Sequence, residues 1–206
     1  MHFTNKELRF NDLVFRIPDE VYEPAEDSLL FADNFQSKEG SRVLDMGTGC
    51  GILGIIAAKN AANVLAVDIN PHAIRCARQN AVANELANRM SFLQADLFNG
   101  LAPEIRFDLI IFNAPYLPCR LSNGTSWLEK AWAGGRNGRE VIDRFIRDAP
   151  GRLSLGGEIL LMQSRLSDRD KTVSNLAGQR LRVNIVAERE LPFFEKLLLI
   201  RALASG

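Results

Sequence analysis

Near the start of the chain, apolar residues fall on every second position: Leu8 and Phe10, then Leu13, Phe15 and Ile17, on either side of Asn11-Asp12. That spacing predicts two short strands joined by a tight turn. The period then lengthens. "EPAEDSLLFADNF" predicts a helix, with Pro24 placed to open it and Leu29, Leu30 and Phe35 on its apolar face. From residue 42 onward, compact apolar runs alternate with helical segments. "RVLDM" is a strand, "GILGIIAAKN" a helix and "NVLAVDI" a strand. "PHAIRCARQNAVAN" is a helix with Asn70 as its cap and Pro71 at its first position, and "MSFLQA" and "FDLIIF" are further strands.

The second half continues with the amphipathic helix "REVIDRFIRDA", the strand "GEILLMQ", a helix around 167–178, and the strands "RVNIVAE" and "KLLLIRA". Strands alternating with helices, two of them almost continuously apolar, predict a parallel sheet covered on both faces. The last two strands are joined by "RELPFFE", too short for a helical crossover, and should pair antiparallel at the end of the sheet. No repeat, low-complexity tract or linker interrupts the 206 residues, a length suited to one domain.

Composition narrows the choice of function. Hydrophobic residues make up 47% of the chain, which places it among globular proteins. Lys+Arg and Asp+Glu are equal at 25 each, so no overall field draws it to nucleic acid or an anionic membrane. Cys50, Cys76 and Cys119 are odd in number and unpaired in spacing, which argues against a disulfide framework and against zinc. His2 and His72 are the only histidines, leaving little for a histidine-based triad or metal site. The opening "MHFTNKELRF" carries no signal-peptide apolar region, and no apolar stretch is long enough to span a bilayer. The expectation is a soluble cytoplasmic protein.

The first candidate chemistry is "LDMGTGCGILG", which sets Asp45, Gly47, Gly49 and Gly51 between the first parallel strand and its helix. Glycines at that place allow a tight turn and close approach of a ligand to the backbone. Asp68 ends the next strand, seventeen residues beyond Gly51, where a carboxylate can accept both hydroxyls of a ribose. Gly49, Gly51 and Gly54 also satisfy the dinucleotide fingerprint, but Asp45 would repel a pyrophosphate. The same carboxylate suits the ammonium of S-adenosylmethionine, and Asp96 in "QADLF" is placed to accept the adenine amino group. Taken singly, each Asp is equally well a cap or turn former. Three acids at three successive strand ends, together with the glycines, fit a cationic nucleoside without phosphate.

"DMGTGCG", "VDINP", "ADL" and "NAPY" resemble the class I S-adenosylmethionine-dependent methyltransferases over roughly residues 40–205. "VYEPAEDS", "NAPY" and "AWAGGRNGREVIDRF" sharpen this to the HemK family, and within it to the small archaeal and eukaryotic branch that methylates the glutamine of the release-factor Gly-Gly-Gln motif. The resemblance implies a Rossmann-like α/β fold: a seven-stranded, mostly parallel sheet with an antiparallel carboxyl-terminal hairpin and helices on both faces. Residues 1–37 would form a hairpin-and-helix lid and 38–206 the catalytic core. It also implies S-adenosyl-L-methionine as cofactor, held by Ser28 (Thr is usual there), Asp45, Gly47, Gly49, Gly51, Asp68, Ile69, Asp96, Leu97 and Asn113. A release factor would be the substrate, with a small zinc-binding activator subunit as partner docked on an apolar sheet edge. The loop around Trp132 would lie near the peptide.

"NAPYLP" directly follows "FDLIIF". A primary amide nitrogen is a poor nucleophile, and two acceptors, one for each N–H, can hold it with its lone pair toward a methyl donor. The Asn113 side-chain oxygen and the Ala114 carbonyl would be those acceptors. Pro115 restricts Ala114 to an extended conformation, and Tyr116 offers a flat face. The family pattern is Asn-Pro-Pro-Tyr, so Ala114 departs from it; because a backbone carbonyl does the work, the change should be tolerated with somewhat less rigidity, and it bears on rate and not on the type of reaction. Read blandly, Asn-x-Pro only ends a strand.

Two other classes stay open. The same grip serves exocyclic amines of nucleic-acid bases, although a base must then be splayed out and neutral charge does not favour it; and the chain could bind the cofactor without catalysis. Within the family, lysine methylation is a further alternative. Residues 136–152 hold five arginines against three acids, which a solvated helix face explains better than a nucleic-acid groove, and Cys50 reads as a small space-filler in the glycine loop.

Overall fold

The computed structural model describes residues 6–119, 125–192 and 195–204. His2 and the Phe193-Phe194 pair of the closing turn lie outside the described residues. β1 (Lys6–Phe10) and β2 (Leu13–Ile17) form an antiparallel hairpin, and Asn11 adopts the left-handed conformation at its turn. α1 (Glu26–Asp33) comes after it. Next are β3 (Arg42–Met46), α2 (Ile52–Lys59), β4 (Asn63–Asp68), α3 (Pro71–Ala83), β5 (Met90–Gln94) and β6 (Phe107–Asn113). The chain closes with a single turn, α4 (Trp127–Lys130), then α5 (Glu140–Asp148), β7 (Leu153–Ser164), α6 (Arg169–Gly178), β8 (Leu181–Glu190) and β9 (Lys196–Ala204).

Seven strands form one sheet in the order β5-β4-β3-β6-β7-β9-β8. β3, β4, β5, β6 and β7 pair in parallel, whereas β9 runs antiparallel to both β7 and β8. The closing strands do pair as a hairpin, but the last of them enters the sheet between β7 and β8 and leaves β8 at the edge. Apolar continuity explains why: Leu197–Ile200 are buried throughout, while β8 alternates with polar residues as an edge strand can.

Successive residues of each strand serve two cores, as period-two geometry demands. Val43, Leu109, Ile111, Leu160 and Met162 pack with α1, α2, α3 and the hairpin. Leu44, Met46, Ile110, Phe112, Ile159 and Leu161 pack with α5 and α6. The amino-terminal hairpin is tied on by side-chain amides in α3 and at its carboxyl-terminal cap, which stand in for a neighbouring strand. Val14 N–H donates to Asn84 Oδ1 at 3.0 Å, Asn84 Nδ2 donates to the Val14 carbonyl at 2.8 Å, and Arg16 N–H donates to Asn80 Oδ1 at 2.9 Å.

Two expectations shift. α1 begins at Glu26, because Ala25 is extended, so Pro24 precedes the cap instead of opening the helix. The arginines of 136–152 do not make one solvated face. Arg139 is fully buried, donating to Asp143 at 2.7 Å, to the carbonyls of Ser167 and Asp168, and to Thr172. A buried guanidinium needs that many acceptors to offset its lost hydration. Its effect is to pin the glycine loop before α5 onto the start of α6.

Candidate active site

Strand order reverses beside β3: β4 and β5 lie on one side of it, β6 and β7 on the other. Ligands of open α/β sheets bind at such a switch point, outside the carboxyl ends of the strands. A cleft of about 650 Å³ lies there, within the usual range for small-molecule sites.

β3 leads into the glycine loop. Gly47 and Gly49 have φ of +64° and +56°, and a Cβ on Gly47 would come within 3.0 Å of the Phe112 ring. Both line the cleft. Gly51 does not: with φ +90° it stands at the start of α2, where an added Cβ would meet Ala77 at 3.0 Å. Its place is at the packing of the loop on α3.

Asp45 is buried under the loop, accepting from Thr48 Oγ1 at 2.6 Å and from Gly54 N–H at 3.0 Å. Burial, reinforced by the charge of Asp68, outweighs those two bonds and raises its pKa to about 7. Asp68 takes Gly49 N–H on one oxygen and Asn70 N–H on the other, both at 2.9 Å. Burial raises its pKa, and the backbone donors oppose the shift. With Ile69 as a third backbone donor, the carboxylate still has acceptor capacity for a ligand hydroxyl. Ile69, 48% exposed, and Ala95 continue the wall. Asp96 and Leu97 come after β5, with Leu97 held at φ +51°. Asp96 is already engaged by Arg144 Nη2 of α5 at 2.6 Å, a partner the spacing did not show.

The opposite side of the cleft is formed by the end of β6 and the segment leading out of it. Asn113, Ala114, Pro115 and Tyr116 all line it. Backbone bonds hold this segment against the glycine-rich loop: Leu117 N–H donates to the Trp132 carbonyl at 3.0 Å, Gly134 N–H to the Leu117 carbonyl at 2.8 Å, and Cys119 N–H to the Gly135 carbonyl at 2.8 Å. A Cβ on Gly138 would lie 2.2 Å from the Tyr116 carbonyl, and one on Gly134 would lie 2.7 Å from that of Pro115. Only glycine fits. Trp127, Lys130 and Trp132 line the same cleft.

Asn113 Nδ2 donates to Asp27 Oδ2 and to Ser28 Oγ, each at 3.2 Å. Its oxygen Oδ1 is buried and accepts no hydrogen bond from any of the described residues. Asp27 also accepts from Tyr116 OH and Tyr22 OH, each at 3.1 Å, and from the Ser28 N–H at 2.6 Å. Burial, and then the Asp27 charge, push both phenols well above their ordinary range, so they remain donors and neither can serve as a base near neutrality.

Every residue expected at the site except Gly51 thus faces one cleft. Asp27 was not among them. The available signal was its place in the helical period: with Leu30 and Phe31 it falls on the buried stripe of α1, and an acid there needs donors. Tyr22, Arg144 and the single turn α4 left no comparable mark.

The methyltransferase small domain model matches residues 24–125. A Methanocaldococcus jannaschii protein, assigned by its name to the protein N5-glutamine methyltransferases, is 38% identical over 197 residues, covering 95% of this chain and 98% of its own. Methyltransferase HEMK2 of Homo sapiens is 31% identical, covering 83% of this chain and 84% of its own. Among solved structures, the E. cuniculi Mtq2-Trm112 complex, described as responsible for methylation of the eRF1 translation termination factor, matches at 25% identity and a TM-score of 0.66, covering 90% of this chain and 99% of the matched one. T. thermophilus RsmC, a 16S rRNA N2 G1207 methyltransferase solved with AdoMet and guanosine, shares the fold at 18% identity and a TM-score of 0.69, with 98% of this chain and 51% of that one covered.

Proposed function

Because the chain belongs to the HemK-type protein N5-glutamine methyltransferases, we propose that it methylates the side-chain nitrogen of the glutamine in the Gly-Gly-Gln motif of a peptide chain release factor. The observation that carries this reading is the buried, unpartnered Asn113 Oδ1 at the end of β6. A buried acceptor without a donor costs about 1–3 kcal/mol, and a substrate amide N–H entering the cleft satisfies it.

The cleft also fits S-adenosyl-L-methionine. It has the volume, two glycines let a ligand approach the loop backbone, and Asp45 and Asp68 offer acceptors for an ammonium and for ribose hydroxyls. Ser28, Ile69, Asp96 and Leu97 complete this half. When bound, the cofactor supplies a methyl already activated on a sulfonium. The protein's part is alignment: Asn113 Oδ1 and the Ala114 carbonyl each take one N–H of the substrate amide, and Tyr116 lies along its plane. Pro115 holds Ala114 extended. No side chain here is a strong base, and the scheme asks for none.

The test is radiolabelled methyl transfer into a release factor, its Gln→Ala variant at the Gly-Gly-Gln motif, and total RNA in parallel. Label in the first alone is expected; label in RNA overturns the reading. A small zinc-binding activator subunit belongs to the same proposal, supported by the solved Mtq2-Trm112 complex, and full activity of the purified monomer would remove it. Cytoplasmic residence is proposed on cysteine usage suited to a reducing compartment. Among the described residues no helix is long and apolar enough to cross a membrane.

A further inference from the structure

An amide side chain is nearly symmetric in shape, and its two orientations present opposite faces: an acceptor in one, two donors in the other. Only the first can hold a substrate N–H. Nothing within "NAPY" chooses between them. The choice is made from α1, because a carboxylate only accepts, so the Asp27 oxygen at 3.2 Å takes the Asn113 nitrogen and leaves Oδ1 as the amide's acceptor, without a partner among the described residues. We propose that Asp27, itself on the cleft wall, is the positioning residue of this site: it fixes the orientation of the Asn113 amide and, through the Tyr116 hydroxyl, the plane of the aromatic face.

The arrangement around Asp27 supports this. Five donor groups converge on its two oxygens: Tyr22 OH, Ser28 N–H and Ser28 Oγ–H on Oδ1, and Asn113 Nδ2 and Tyr116 OH on Oδ2. No acceptor among these neighbours faces it, so a reversed Asn113 would set oxygen against oxygen. The split is also functional. Oδ1 serves the lid, through Tyr22 and the start of α1, whereas Oδ2 serves the two residues that meet substrate. The Ser28 hydroxyl bridges the halves, donating to Asp27 Oδ1 at 3.2 Å and accepting from Asn113 Nδ2 at 3.2 Å. The residue that holds the amide is therefore adjacent in sequence to one proposed for the cofactor, on a helix that contributes nothing to the sheet.

The inference rests on the glutamine-methylating reading, and its test separates the two. Asp27→Asn keeps the shape of the side chain but places an NH2 group against donors on one side or the other. The expected result is a kcat lower by about a hundred-fold, the cost of a slightly misplaced group, with cofactor-product affinity and the cooperative thermal transition both retained. The second measurement is nitrogen-15 NMR of the Asn113 side-chain amide in the wild-type protein, assigned by its disappearance in Asn113→Asp. Its two protons should be widely separated and slow to exchange, and Asp27→Asn should bring them to the position of a free amide. An unshifted, fast-exchanging amide in the wild type overturns the proposal whether or not the variant folds. So does an Asp27→Asn enzyme whose kcat is unchanged, or falls only in step with cofactor affinity or folded fraction. If the wild type transfers no label to glutamine, the functional reading fails alone, and the amide resonances still decide the role of Asp27.

Discussion

On the proposed cofactor side of the cleft, the polar groups of the glycine loop are held by neighbours close in sequence: Thr48 to Asp45 across three residues, Gly54 to Asp45 across nine, and Gly49 to Asp68 across nineteen. Asp96, held by Arg144 across 48, is the exception. On the substrate side the partners are distant. Asn113 and Tyr116 reach Asp27 across 86 and 89 residues, and the segment that carries them leans on the loop at Trp132–Gly138. A site assembled locally is specified by a motif, whereas one assembled from afar exists only once the fold has formed. Substitutions should separate along the same line: those on one side should act on cofactor affinity, and those on the other on turnover.

The largest separation should come from Asn113→Ala. It removes the acceptor proposed for the substrate amide and should lower the single-turnover rate of methyl transfer by about 10³-fold, while calorimetric cofactor-product affinity stays within about threefold. Equal losses in both would mean that Asn113 belongs to the cofactor side and that the two-sided description is wrong.

Gly138→Ala probes the distant support without touching a reacting group. Gly138 holds φ +73°, and its added Cβ would lie 2.2 Å from the Tyr116 carbonyl, so backbone must move. We expect about 2 kcal/mol of destabilisation in chemical denaturation and a rate about 10²-fold lower from displacement of Tyr116 and its neighbours, again with cofactor affinity preserved. Gly51→Ala is the matched control on the other side. It presses on Ala77 beneath the glycine loop, and its loss should appear in cofactor affinity.

The same contrast explains what the sequence disclosed. Asp45, Gly47, Gly49 and Asp68 could be read because the loop geometry that needs them is local and punctuated by glycine. The central strands could be read because their apolar runs are buried on both faces, and the hairpin strands because apolar residues take every second position. The helical period marks Asp27 as buried but not its partners, since these depend on β6 arriving beside α1, which no period or spacing encodes. Arg139 looked like part of a solvated helix because its acceptors, the Ser167 and Asp168 carbonyls, belong to a turn some thirty residues on. β9 entering between β7 and β8 was hidden for the same reason: hairpin pairing is local, but the choice of neighbour is not.

A smaller effect distinguishes the cofactor side by pH. With a folded-state pKa of about 7 against an ordinary value of 3.8, Asp45 binds more protons in the native protein than in the unfolded chain between those values. Asp45 therefore contributes stability that is full below about pH 4 and is lost as the pH rises through 7. Cofactor affinity should move the opposite way, because an ammonium favours the ionised carboxyl. It should strengthen by about tenfold from pH 6 to pH 8, and Asp45→Asn should flatten both profiles. Methyl transfer at saturating cofactor should keep its pH profile, since Asn113 and Ala114 do not titrate. Asp68 faces the same loop and is also shifted upward by burial, so Asp68→Asn is the control that assigns the transition to Asp45.

The smallest expected effect is also the sharpest test of how the substrate side is held. Ala114→Pro restores the family pattern and restricts the backbone on either side of the acceptor carbonyl. Were local stiffness the determinant, this change would raise turnover substantially. But Ala114 is buried, Asn113 before it is held by Asp27 and Ser28, and Leu117 after it is bonded to both Trp132 and Gly134. A segment already fixed at both ends gains little from a stiffer middle. The gain should therefore come mainly from the unfolded chain, about 0.5 kcal/mol in thermal or chemical denaturation, with kcat within about threefold of the wild type. A tenfold rise in kcat would show that the distant anchors leave Ala114 loose, and that proline in the family supplies rigidity which Asp27 and the glycine loop here do not.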